Sequence, residues 1–93
     1  MPVTLQDLRQ LLDSADVDFT DAAELGPAAL PHLAELATHA DTVLACKAVY
    51  LASVIGGPRS TEIILDAAGH DDPIIRIAAS AALRNQEQAG RAG

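Results

Sequence analysis

A period of 31 residues constrains this chain more than any other feature of its sequence. Shifted against itself by that offset, the chain brings Gly26-Pro27 onto Gly57-Pro58, Ala37 onto Ala68, His39 onto His70, Asp41 onto Asp72 and Ala48 onto Ala79. Aliphatic residues match between those landmarks, Leu33 with Ile64, Val43 with Ile74 and Leu44 with Ile75. The identities fall where helices should begin, which marks the period as structural. In each unit Gly closes one helix and Pro opens the next, where its missing N–H has no helical partner to lose. The spacing predicts a first helix over 27–38, repeated over 58–69, then a turn carrying the histidine and an N-cap at Asp41 or Asp72. A second helix should follow, reaching about Ile55 or Asn85. Pro31, one turn inside its helix, should bend it.

Upstream, Leu5, Leu8, Leu11 and Leu12 lie on one face of an amphipathic helix with Thr4 as its cap. The stretch DVDFTDAAELG then predicts a loop and a short helix ending at Gly26, a degenerate first repeat. No segment alternates apolar and polar residues as a half-buried strand does, so the expected class is all-α. With Phe19 and Tyr50 the only aromatics, the core must be built from Ala, Leu, Ile and Val, which suits closely packed helices. The expected organisation is one domain: capping helices or a degenerate repeat over 1–25, hairpins over 26–56 and 57–86, and a disordered tail over 87–93, where apolar periodicity stops.

Thirteen acidic against six basic residues leave a net charge of −7. Nucleic-acid affinity comes chiefly from Lys and Arg neutralising phosphates, and no basic cluster occurs here, so neither nucleic acid nor an anionic membrane surface is an expected partner. The longest uncharged stretch, Ala48 to Pro58, is far below the roughly 20 residues that span a bilayer. The N-terminus lacks a basic segment followed by an apolar one. Cys46 stands alone and excludes an intramolecular disulfide, which suits a cytoplasmic location.

The run Asp72-Pro73-Ile74-Ile75-Arg76-Ile77-Ala78-Ala79-Ser80-Ala81-Ala82-Leu83 resembles the B helix of HEAT repeats, and GPAALPHLAELA over residues 26–37 resembles their Leu-Pro-containing A helix. The likeness covers residues 26 to 85 and weakens over the first 25. The middle B helix departs from it, with Ala45 where Arg would stand. The resemblance implies a short α-solenoid of about two and a half HEAT-like hairpins and a non-enzymatic adaptor or scaffold that binds a partner protein through its B-helix face. Some HEAT-like families attach chromophores to proteins, so an accessory subunit of a lyase-type protein-modifying enzyme is the rival reading. HEAT-like alkylpurine glycosylases need a basic groove that this chain lacks.

Candidate chemistry is sparse. Arg76 is four residues after Asp72 and one repeat from Asp41, so a structural ion pair with either carboxylate is expected, with a catalytic or ligand-binding role as the alternative. His39 and His70 recur two residues before an Asp, but equivalent atoms of packed helices lie about 10 Å apart, too far to share a metal without inward reach. Asp16, Asp18 and Thr20 begin a calcium-loop spacing, yet Asp21 occupies the position that needs Gly and Pro27 the twelfth. Cys46 has no His within a helical turn to activate it and reads as a packing residue. No metal or cofactor is expected.

The remaining signal is surface. If Leu44, Ala48, Leu51, Ala52 and Ile55 face the A helix, then Cys46, Val49, Tyr50 and Ser53 lie opposite, and the offset matches them with Ile77, Ser80, Ala81 and Arg84. These rows are expected either to form one apolar partner-binding strip or to be consumed by packing between B helices. The acidic N-terminal loop favours a basic partner. Ile63, Ile64, Leu65, Ile74, Ile75 and Ile77 cannot all turn inward from one hairpin, so an uncovered C-terminal end is expected, to be buried in a weak homodimer or against the partner.

Overall fold

In the computed structural model, which describes residues 4–13, 17–39 and 41–91, every regular element is helical and no strand occurs among those residues. Thr4 starts α1 (Leu5–Leu12) by a reciprocal exchange, its Oγ1 accepting the Asp7 amide and its own amide donating to the Asp7 carboxylate. Asp18 caps the short α2 (Phe19–Ala22), and a 3₁₀ segment, Ala23–Ala29, carries the chain to α3 (Leu30–His39). The segment is broken at Gly26, whose φ of 72° lies in the left-handed region that glycine enters without a Cβ clash. Helical geometry therefore resumes at Pro27, as the Gly-Pro pair predicts. The Leu30 amide donates to the Pro27 carbonyl in a tight turn, and the α-helical register takes over around Pro31, which has no amide to offer.

The second unit repeats this grammar. Asp41 caps α4 (Thr42–Ile55) through the Leu44 amide at 2.9 Å, and Gly56 closes it by donating to the Ala52 carbonyl at 3.0 Å. Gly57, with φ of 95°, then turns the chain so that Pro58 opens α5 (Pro58–Ala68). Asp72 caps α6 (Pro73–Arg91) through the Ile74 amide at 2.9 Å.

Packing follows the period. α3 lies against α4 and α5 against α6, while α3 also meets α5 and α4 meets α6. One apolar cluster joins them, drawing Leu8 and Leu12 from α1, Leu33 and Leu36 from α3, Leu44 and Leu51 from α4, Ile64 from α5 and Ile75 from α6. Most of the aliphatic and alanine period mates share their burial: Leu33 with Ile64, Leu44 with Ile75 and Ala48 with Ala79 are buried, whereas Val43 and Ile74 are both exposed. Ser60 replaces the buried Ala29 of the preceding unit, and its hydroxyl is satisfied by the Ala52 carbonyl.

Two expectations change. Residues 87–91, predicted as a disordered tail, continue α6 to Arg91. Apolar periodicity ends there but helix propensity does not, because Gln, Glu, Ala and Arg are all strong helix formers. Gln86 also anchors the helix, meeting the hydroxyls of Thr61 and Ser60 on α5. The second change concerns Arg76. Its Nη1 donates to the carbonyls of His70 and Asp71 at 2.8 and 3.0 Å, in place of the expected ion pair with Asp72 or Asp41. Each carboxylate is engaged elsewhere, by the amides it caps and, for Asp72, by the Thr42 hydroxyl. Arg76 thus closes the turn between α5 and α6, satisfying carbonyls that no helix pairs.

Truncation should separate the two sets of aliphatic period mates. Ile64→Ala should cost about 2–5 kcal/mol in urea unfolding because it opens a fully buried site. Ile74→Ala, at an exposed site, should change stability by less than about 1 kcal/mol. Similar losses for both would contradict the inside-outside assignment of α6.

Candidate functional site

Thr42, Cys46, Val49 and Ser53 recur at intervals of three or four residues and so share one face of α4. That face is turned to α6. The Thr42 hydroxyl donates to Asp72 Oδ2, the Cys46 thiol points at the Ile74 carbonyl at 3.9 Å, and Asn85 Nδ2 reaches Ser53 Oγ at 3.4 Å. These contacts follow one another in the same order along both helices, so α4 and α6 run parallel. Val49, in the middle, is fully buried.

The strip predicted from sequence therefore divides. Val49 and Ser53 leave it, because they are spent in the α4–α6 seam, and Cys46 is half-buried at the seam's edge. Tyr50 remains on the surface, 44% exposed, and so do Ile77 at 70%, Ser80, Ala81 and Arg84. Val43 and Ile74, 65% and 58% exposed, join the surface; neither was assigned to the strip, although Ile74 was one of the isoleucines expected not all to turn inward. Sequence did carry their signal, since they match across the period, but an aliphatic residue repeated in both hairpins invites a core reading. On α4 and α6 the exposed residues form one ridge, Val43 and Tyr50 on α4 beside their mates Ile74 and Ala81 on α6, with Ile77 where the ridge turns onto the far side of α6.

α1 and α2 border this face. Lys47 Nζ donates to the Leu12 carbonyl at 2.9 Å, which ties the end of α1 to α4. Phe19 meets Tyr50 edge to face, with ring centroids 4.7 Å apart and planes 84° apart. The contact props one side of Tyr50 while 44% of the residue stays in solvent. Asp18 and Asp21 flank Phe19 in sequence and are exposed, so the apolar ridge has an acidic margin.

The thiol and carboxylate in the seam are tuned in opposite directions. Cys46 is raised above its ordinary pKa, first by burial and then by the negative charge of Asp72. It is held as a thiol, the less nucleophilic form. Asp72 is held below the usual carboxylate range, first by the Thr42 hydroxyl and then by the Ile74 amide, with further contributions from the His70 imidazole and the Ile75 amide. His70 Nδ1 accepts the Asp72 amide at 3.0 Å, so this ring is part of the α6 cap. The side chain of His39 and all of Asp16 lie outside the described residues. Among those described, no three His, Cys, Asp or Glu residues come together as a metal site would require. A groove of about 300 Å³ between α3 and α5 is lined by Ala34, Ala37, Ile63 and Ala67, with Asp66 and His70 at its rim. No helix among the described residues is long and apolar enough to cross a membrane. Comparison with protein-family models, curated proteins and solved structures finds no match to this chain.

The opposed shifts are separately measurable. The pH midpoint for alkylation of Cys46 should lie above that of a free thiol, and Asp72→Asn should lower it only in part, because burial is the larger cause. A midpoint at the free-thiol value in the wild-type protein would refute the assignment. For Asp72 the depressed folded pKa means that its contribution is complete above the unfolded value and is lost as pH falls through the folded one. Asp72→Asn should therefore be less stable than wild type at neutral pH, and the gap should close below about pH 4. A gap independent of pH would show that the carboxylate's charge is not used.

Proposed function

We propose that this chain is a small non-enzymatic adaptor or scaffold, a short solenoid of HEAT-like hairpins that binds another protein through its B-helix face. The observation that carries the reading is the ridge of Val43, Tyr50, Ile74 and Ile77, large apolar side chains kept in water on two adjacent parallel helices. Contiguous apolar surface of this kind costs solubility unless it is covered in use, and a rim of polar residues around it is the usual sign of a protein-binding patch. Tyr50 suits an anchor, since it offers a broad apolar ring steadied by Phe19 and a hydroxyl that needs no burial.

The partner's chemistry follows from the margin. Asp18 and Asp21 beside Phe19, on a chain of net charge −7, favour a basic segment with apolar residues at helical or extended spacing. The lyase-type alternative gains no comparable support, because the one thiol on the face is held protonated.

Affinity capture with the purified chain, followed by mass spectrometry, should retain proteins that Tyr50→Ala and Ile74→Asp variants lose. Each substitution should weaken binding by on the order of 1 to 3 kcal/mol without loss of helicity. Binding should also weaken as salt is raised, as expected for charges at an exposed rim. Partners bound equally well by both variants would exclude this face.

A further inference from the structure

The exposed ridge also forms the walls of a valley. Val43 and Tyr50 line one side of it on α4, their mates Ile74 and Ala81 line the other on the parallel α6, and the half-buried Cys46 and Ala78 lie between. The valley runs for seven residues, or about 10 Å of helix rise. Little along it can form a hydrogen bond. The Cys46 thiol is turned to the Ile74 carbonyl, Tyr50 offers only the hydroxyl at its tip, and the other side chains are aliphatic. The amides and carbonyls of α4 and α6 beneath them are paired along each helix.

These walls select the conformation of what covers them. A segment laid along the valley in extended form would press its own amides and carbonyls against apolar side chains. Neither a strand edge among the described residues nor an amide side chain along the valley is there to pair them, and unpaired groups removed from water weaken binding. A helix avoids that cost, because its backbone is paired internally and only its side chains meet the walls. Ala78 and Ala81 keep the α6 wall low, so a third helix can settle between the other two.

Charge distinguishes the two flanks. Beyond the α4 wall, Asp13 and Asp41 line a hollow of about 360 Å³ with Val43 and Lys47, and Asp18 and Asp21 stand beside Phe19, which meets Tyr50. All four carboxylates are exposed. The cations on that side are fewer, since Lys47 turns its ammonium onto the Leu12 carbonyl and Arg9 is one turn before Asp13 on α1. Beyond the α6 wall, Asp71 and Glu87 are balanced by Arg76 and Arg84. We propose that the partner enters the valley as an amphipathic helix aligned with α4 and α6, its aliphatic stripe on Val43, Tyr50, Ile74 and Ala81 and its lysines or arginines over Asp13, Asp18, Asp21 and Asp41. This rests on the adaptor reading and adds to it the partner's conformation and the side on which its charge lies.

Synthetic peptides about four helical turns long, titrated into the isotope-labelled whole chain and followed by nuclear magnetic resonance, test this. The first carries leucines at helical spacing with lysines along one flank. The second exchanges the lysines for glutamates, and the third keeps leucines and lysines but has two interior prolines that forbid a helix. The lysine peptide should shift the amide signals of Val43, Tyr50, Ile74 and Ala81 to saturation and gain helicity by circular dichroism. The glutamate and proline peptides should each bind at least about tenfold more weakly. Ile74→Asp should weaken the lysine peptide by about tenfold, and Asp13→Asn combined with Asp21→Asn by about two- to fivefold. On the other flank, Asp71→Asn combined with Glu87→Gln should change it by less than about twofold. All five positions are exposed, so the variants should keep wild-type helicity. A proline or glutamate peptide that binds the ridge as well as the helical one, equal effects of the two acidic pairs, or no shift of the ridge by the lysine peptide would each overturn the inference. The adaptor reading falls separately, if captured proteins bind the Tyr50→Ala and Ile74→Asp variants as well as wild type.

Discussion

The seam between α4 and α6 is the contact on which the other surfaces depend. Val49 is buried at its centre, and the buried Ala45, Ala48, Ala52, Ala79 and Ala82 lie on the two helices that form it. Small side chains let two helix axes approach closely, and close approach brings dispersion contacts that a chain with only two aromatic residues cannot obtain from large rings. Apolar packing alone would tolerate sliding. Polar contacts at both ends prevent it, Thr42 with Asp72 at the start of the helices and Ser53 with Asn85 near their ends. Misaligning the first pair would cost the half-buried Thr42 hydroxyl its Asp72 acceptor, and misaligning the second would break the Asn85 contact with the buried Ser53.

Once that register is set, the direction of every other side chain on the two helices follows. The apolar ridge of Val43, Tyr50 and Ile74 is turned to solvent by the same rotation that buries Leu44, Leu51 and Ile75. The turn before α6 is fastened at three points, the Asp72 cap, the His70 imidazole on the Asp72 amide, and Arg76 on the carbonyls of His70 and Asp71. This explains why a largely aliphatic helix carries an arginine in its first turns. Its guanidinium satisfies carbonyls at the junction while Ile74 and Ile77 on either side remain free for contact.

Much of this architecture was legible in the sequence. The helical class, the caps at Thr4, Asp41 and Asp72, the Gly-Pro junctions and the inward set Leu44, Ala48, Leu51 and Ala52 follow from local chemistry and periodicity. Each depends on residues within one helical turn or on the spacing of apolar positions, and such signals are read along the chain. The division of the predicted strip was less accessible. Val49 and Tyr50 are adjacent in sequence and similar in apolarity, yet one is sealed and the other open.

The sequence by itself determined where helices start, where most of them stop and which stripe of each is apolar, because capping, proline placement and the 3.6-residue repeat are local. Only the tertiary structure decided which side of α4 received α6, and with it the burial of Val49 and Ser53, the exposure of Val43 and Ile74, and the use of Arg76 at backbone carbonyls. A helix such as α4 has apolar residues on most of its circumference, so periodicity cannot rank its faces. The ranking is made by the neighbour that packs closest, which depends on contacts between residues some thirty positions apart.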